Sequence, residues 1–230
     1  MRLDIQIERG SAMYDFHNVA LTPTQSLLLN ICILSVIVFA VLRSERRLDD
    51  YNPIAMLGVL AIFGIAGRIL LDPIPNFQPV TVIVLLAGIY YGAPRAVALA
   101  GIIALASNFA VLGHGPWTLF QVAGWGLVGF AGAFFADHLL KDGRLQLNRL
   151  AGLAIISAFA FDWVVSSSIL LKTDVSMLAP YLLNGLLFDL YHAVGNLVFV
   201  AWLANPLGEI MLRHRVEPSS QSVSEVVTNR

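Results

Sequence analysis

The chain has 230 residues, of which 57% are apolar and only 13% charged, with a formal net charge of −1. A soluble domain carries about 25% charged residues, so this composition excludes a soluble enzyme, a disordered chain and a secreted disulfide scaffold. The near-neutral charge excludes a nucleic-acid partner, which needs a basic face, and the single cysteine, Cys32, cannot form a disulfide within the chain.

Crossing the roughly 30 Å hydrocarbon core takes about 20 mostly apolar residues, and the chain offers seven such segments. An extracytoplasmic N-terminal segment, residues 1–23, leads into a first span at 24–42, which stops at Arg43, Arg46 and Arg47. The basic cluster follows this segment rather than precedes it, which is the wrong order for a signal peptide. The second span, 53–71, begins at Pro53, where a first-turn proline is tolerated. A proline-rich turn at 72–76 leads to a short third stretch at 79–91, closed by Gly92. The fourth covers 95–112 and is broken at Gly113, the fifth covers 117–140, and the sixth covers 150–171. The seventh, 181–212, is too long for one straight span, and Asn205-Pro206 is expected to end or kink it. The polar, Ser-rich end at 216–230 reads as a disordered cytoplasmic tail.

Lys and Arg are retained on the cytoplasmic side. Seven spans with the N-terminus outside and the C-terminus inside put ten basic residues inward, against four (Arg2, Arg9, Arg68 and Lys172) outward. That orientation gathers the polar residues of the spans into their outer halves. Arg68 lies near the outer end of the second span and Asn108 near that of the fourth. Trp117, Gln121 and Trp125 open the fifth, Asp162 and Trp163 lie in the outer half of the sixth, and Asp189, His192 and Asn196 lie in the first turns of the seventh. The inner halves are nearly pure Ala, Gly, Val, Ile and Leu. A pore or proton relay needs polar groups along its whole depth, so this distribution describes a cup open to the outside and closed below.

Asp189, His192 and Asn196 stand at i, i+3 and i+7 and share one helical face. They either line a pocket for a polar ligand or fasten helices together, with Asp162 or Asp189 paired to Arg68. The tryptophans either stack on a planar ligand or sit at the membrane interface. Ala55, Gly58, Ala61 and Gly64 recur every three residues on the second span, and Ala96, Ala100 and Ala104 every four on the fourth. Such stripes let helices approach closely, whether within the chain or against another membrane subunit. Enzyme and nucleotide motifs (HExxH, GxSxG, a P-loop) are missing, and the glycines of Gly124-Trp125-Gly126 lie inside a span without a preceding strand. His114, His138 and His192 are separated by topology, so no metal site and no cofactor are expected.

Several segments together resemble a known family. Ser107-Asn108-Phe109, the stretch from Gly113 to Gln121, Gly124-Trp125-Gly126, and the stretch from Phe188 to Asn196 are similar to motifs in the S components of energy-coupling factor (ECF) transporters. So is Arg68 ahead of a proline-containing turn and a short apolar helix. The resemblance covers 53–205 and implies an all-α, polytopic helical membrane protein, with an ECF S-component-like six-helix membrane domain at 53–212 and one extra N-terminal span. It implies capture of a vitamin-like micronutrient from outside, with a transmembrane coupling protein and two cytoplasmic ABC-type ATPases as partners, in a bacterial or archaeal cytoplasmic membrane. The motif set is closest to members associated with cobalamin, its precursors or its dimethylbenzimidazole part. Small residues on the first core helix contact the coupling protein in that family, which points to Ala55, Gly58, Ala61 and Gly64, although their three-residue spacing departs from the usual AxxxA. The chain would be a transport subunit without ATPase motifs of its own. The contrasting possibility is an intramembrane enzyme using Asp162, Asp189 and His192 as acid–base groups on a lipid-soluble substrate.

Overall fold

Why an apolar helix of only twelve residues belongs in a membrane protein becomes clear from what surrounds it. A computed structural model describes residues 52–215 together with the single positions 24 and 28. The segment expected at 1–23, the extra span at 24–42 and the tail at 216–230 otherwise lie outside the described residues. Seven helices are present among the described residues: α1 Pro53–Leu70, α2 Val80–Tyr91, α3 Ala93–Ser107, α4 Trp117–Phe134, α5 Ala136–Leu139, α6 Leu147–Ser166 and α7 Leu178–Arg213. Five helical segments are long and apolar enough to cross a membrane, namely α1, α3 with its extension, α4, α6 with its extension, and α7. The chain is a multi-pass helical membrane protein by that measure.

All twelve residues of α2 are buried. At 1.5 Å per residue it is about 18 Å long, well short of the hydrocarbon thickness. It is apolar all round, as a helix enclosed on every side must be, and the longer helices wrap it. Gly88, Gly129 and Gly132 bring α2 and α4 into backbone contact. A Cβ on Gly132 would collide with the Leu85 carbonyl, and one on Gly88 with the Gly129 carbonyl. Short as it is, α2 still carries the chain from one end of the bundle to the other. Thr81 in its first turn meets His192 in the first half of α7, whereas the Tyr91 hydroxyl at its end donates to the Met211 carbonyl near the end of α7.

Consecutive core helices therefore alternate in direction. The ends of α1, α3 and α6 and the starts of α2, α4 and α7 lie at one end of the bundle, held by hydrogen bonds among Arg68, Asn108, Gln121, Asn76, Asp162 and His192. At the other end Tyr90, Arg95, Ala133 and Arg215 surround one crevice, and Arg144 and Glu209 border another. Between the ends the core is apolar, with Leu60, Ile83, Leu86, Leu99 and Ile103 all fully or almost fully buried.

Three boundaries differ from those expected. The fifth span stops at Phe134, and the chain continues into the short α5 and a two-stranded hairpin, Leu140–Lys141 paired with Arg144–Leu145. Asp142 and Gly143 turn that hairpin, both with positive φ (52° and 73°), as a tight two-residue turn requires. At Asn108–Leu112 α3 widens into a π-helical turn before Gly113, and α6 tightens into a 3₁₀ turn at Ser167–Leu171. Finally, α7 runs unbroken for 36 residues, with Pro206 inside it. Proline forfeits one intrahelical bond there, and the helix continues nonetheless.

The small-residue stripe of α1 is divided between inside and outside. Ala61 and Gly64 are buried, with Ile103 of α3 filling the space where a Gly64 Cβ would stand. Gly58 is exposed with nothing within 4 Å, and Ala55 is half-buried. On α3, Ala96, Ala100 and Ala104 are all fully buried, so packing within the chain accounts for that stripe.

Candidate functional site

The polar end contains two hydrogen-bonded clusters that share Trp125. The first surrounds Arg68, in the last turn of α1 and only 4% exposed. Its Nε donates to Gln78 Oε1 at 3.0 Å, and its Nη1 donates to Ser107 Oγ at 2.5 Å and to Asn108 Oδ1 at 2.9 Å. Asn108 Nδ2 in turn donates to Thr118 Oγ1 at 2.9 Å and Gln121 Oε1 at 2.6 Å. The π turn that begins at Asn108 lies between these partners on α1 and α4. The guanidinium also lies over the Trp125 ring, 4.9 Å from its centre, a favourable cation–π placement. The expected pairing of Arg68 with Asp162 or Asp189 is not made. Its partners are neutral acceptors, and the charge that Asp162 meets is that of His192 when protonated.

The second cluster runs from Trp125 to the protein's edge. Trp125 Nε1 donates to Thr81 Oγ1 at 3.1 Å, Thr81 Oγ1 lies 2.8 Å from His192 Nε2, and His192 Nδ1 lies 3.0 Å from Asp162 Oδ2. Indole N–H can only donate, so Thr81 accepts from Trp125, and its remaining lone pair or its hydroxyl proton serves His192 Nε2. The Asp162 carboxylate can only accept, so His192 donates to it from Nδ1. Asn76 Nδ2, from the turn between α1 and α2, donates to the same Asp162 Oδ2 at 3.0 Å and to the Phe188 carbonyl at 3.1 Å. Phe161 stacks on Trp125 at 4.3 Å and presents an edge-on contact to His192 at 5.5 Å, which walls the chain with aromatic surface.

Beside this chain lies a cavity of about 410 Å³, bounded by Asn76, Asp162, Tyr181, Asn184, Phe188 and Asp189 among others. Asp189, three residues before His192 on α7, accepts a 3.0 Å bond from Trp163 Nε1 through Oδ2. The cavity is thus built where the end of α6, the start of α7 and the Asn76 turn meet. Its volume falls within the roughly 300–1,000 Å³ range of small-molecule sites. Among the described residues no group of three His, Cys, Asp or Glu side chains is arranged to hold a metal ion.

The residues singled out by sequence fall into distinct places. Arg68, Asn108, Gln121 and Trp125 belong to the first cluster, while Asp162 and His192 belong to the second, which Trp125 also joins. Trp163 and Asp189 form their own pair at the cavity. Trp117 is 43% exposed, its ring lying across Gly115 and away from the cavity wall. Asn196, fully buried, donates to the Ala154 carbonyl at 2.9 Å and fastens α7 to α6, with its Oδ1 unpartnered. Sequence reasoning passed over Thr81, the hinge of the second chain, because one hydroxyl in an apolar run leaves no periodic signal. It also left Asn76, Tyr181 and Phe188 out of the site. Asn76 carries a backbone clue, since it holds a positive φ of 55° without being glycine.

A family model matches residues 49–216, beginning just before α1 and ending just after α7. The chain belongs to DUF6580, described as a family of unknown function. The DUF6580 match takes in both clusters and the cavity and leaves out the span expected at 24–42. No curated protein and no solved structure matches the chain.

Proposed function

We propose that the chain is the substrate-capturing membrane subunit of an ATP-driven importer, resembling ECF S components, and that it holds a vitamin-like micronutrient in the cavity beside Asp162 and Asp189. The observation that carries this reading is the one-endedness of the bundle. Polar side chains from α1, α3, α4, α6 and α7, with Thr81 of α2, converge at one end, the cavity lies at that same end beside Asp162 and Asp189, and the core beneath is apolar. Six basic residues of the described region (Arg95, Lys141, Arg144, Arg149, Arg213 and Arg215) belong to the opposite end, against Arg68 and Lys172 at the cavity end. Retention of basic residues on the cytoplasmic side then turns the cavity outward and the C-terminus inward, in a bacterial or archaeal cytoplasmic membrane.

A volume near 410 Å³ suits one small ring system rather than an intact corrinoid. The coupling protein and two ABC-type ATPases are the proposed partners, with Ala55 and Gly58 as the stripe members least enclosed by the chain itself. The test is uptake in cells with and without the ATPases of such a module, together with affinity purification of the tagged chain. Uptake that depends on the ATPases, with the coupling protein co-purifying, supports the reading. Uptake indifferent to their loss refutes it.

The Asp162–His192–Thr81 order favours one second reading, an intramembrane enzyme, because it repeats the acid–base–hydroxyl logic of a nucleophile relay. Thr81 is 1% exposed and does not line the cavity. A substrate in the cavity would therefore meet Asp162 before any nucleophile. Turnover abolished in His192→Ala, with no associated transport, would favour this second reading.

A further inference from the structure

We infer that the cavity selects an organic cation, a small molecule bearing a protonated amine beside an apolar ring, and that Asp189 and Asp162 are its counter-charges. This rests on the reading of the cavity as the substrate site and adds the chemical class of the substrate.

Asp162 and Asp189 present four carboxylate oxygens at this end of the bundle. Asp162 Oδ2 is occupied by Asn76 and His192, and Asp189 Oδ2 by Trp163. The two Oδ1 atoms have no hydrogen-bond partner among the described residues, and neither belongs to the unpartnered atoms sealed away from solvent. Both residues line the cavity, which leaves these oxygens as their acceptors for a ligand held there. Asp189 is only 4% exposed, and its Oδ1 lies about van der Waals distance from where a Cβ of Gly185, another wall residue, would stand. Among the described residues no Lys, Arg or His lines the space, and Arg68 is already engaged by Gln78, Ser107, Asn108 and the Trp125 face.

The hydrogen bond that positions Asp189 brings no formal positive charge. Trp163 and Asn76 are neutral donors, and His192, the one ionisable group bonded to either carboxylate, bonds Asp162 and not Asp189. Two acidic groups inside an apolar assembly with at most one matching cation, His192 on Asp162, are costly. A ligand ammonium donating to both Oδ1 atoms meets that need. Tyr181 and Phe188 supply the apolar and cation–π surface for the rest of such a molecule. An anion would meet two carboxylates at short range, and a neutral isostere would leave Asp189 without charge compensation.

The experiment is calorimetric titration of the purified full-length chain in detergent with three probes of one shape: benzylammonium, benzyl alcohol and benzoate. Benzylammonium is expected to bind at least tenfold more tightly than benzyl alcohol, with no saturable binding of benzoate. Asp189→Asn, which keeps an acceptor for Trp163, is expected to weaken benzylammonium at least tenfold, the scale of one charge-assisted hydrogen bond. Asp189→Glu should retain most of the affinity, and unchanged thermal unfolding of both variants excludes misfolding as the cause. Benzylammonium that fails to saturate, benzyl alcohol or benzoate binding as tightly as the amine, or an Asp189→Asn variant with unaltered affinity each overturns the inference. The readout needs no ATPase, so failure here is separate from failure of the importer reading, which is judged by ATPase-dependent uptake.

Discussion

Replacing Thr81 by valine keeps the shape of the side chain and removes one hydroxyl that serves two partners. In the native chain Trp125 Nε1 donates to that oxygen at 3.1 Å, and the oxygen lies 2.8 Å from His192 Nε2. Trp125, Thr81 and His192 are all at most 3% exposed, so no water takes the place of the lost group and both partners are stranded. In a soluble core each stranded polar group costs about 1–3 kcal/mol. In a membrane the unfolded reference also finds partners, and interhelical hydrogen bonds there average about 0.6 and reach about 1.7 kcal/mol. Two such bonds give a loss of about 1–3 kcal/mol, a fall in melting temperature of about 2–12 °C for a chain of this length. The assay is thermal unfolding in detergent, followed by tryptophan fluorescence and by light scattering. Thr81→Ser restores the hydroxyl and should recover most of the loss. Thr81→Val combined with Trp125→Phe should cost less than the sum of the two single changes, because one stranded donor has been removed. A Thr81→Val variant as stable as the native chain would show that this hydroxyl does not hold α2, α4 and α7 together.

Other perturbations address the remaining parts of the account. Gly132→Ala drives a methyl group into the Leu85 carbonyl and should cost about 1–3 kcal/mol or more in the same unfolding assay. Gly58→Ala meets nothing within 4 Å and should be neutral or stabilising by up to about 1 kcal/mol, so a matched loss at both glycines would contradict the α2–α4 contact. Asp174 accepts a bond from the Ser176 amide at 2.9 Å, and the Ser176 backbone and side chain hold its carboxyl below the ordinary carboxylate range. The turn at Val175–Met177 should therefore keep its amide protection above that range and lose it as pH falls through the lowered value, as followed by hydrogen exchange at Ser176.

Much of the architecture was legible because the bilayer imposes a simple rule on each segment. Apolar length marked the helices α1 to α4, α6 and α7 to within a few residues at most ends, and the clustering of Arg68, Asn108, Gln121, Asp162 and Asp189 toward one end followed from direction alternating along the chain. What stayed hidden was pairing. Periodicity shows which residues share a face but not what lies opposite it, so Arg68 looked like the partner of an aspartate when its neighbours are Gln78, Ser107 and Asn108. The α1 stripe likewise revealed closeness without revealing to what, and Gly64 turned out to face Ile103. Asp142-Gly143 carried a turn signal that the long apolar run before it overshadowed. Pro206 is a helix breaker in isolation, yet in α7 the packing of Leu203, Ala204, Leu207 and Ile210, all buried, outweighs its one lost bond.

The central claim, that the cavity beside Asp162 and Asp189 holds a small molecule destined for import, is tested most directly by native mass spectrometry of the full-length chain released from detergent after purification from its own host. The account predicts one small-molecule adduct per chain on the native protein, absent from an Asp162→Asn/Asp189→Asn variant that retains native-like unfolding. A native chain with no small-molecule adduct, or an adduct carried equally by the variant, would contradict it.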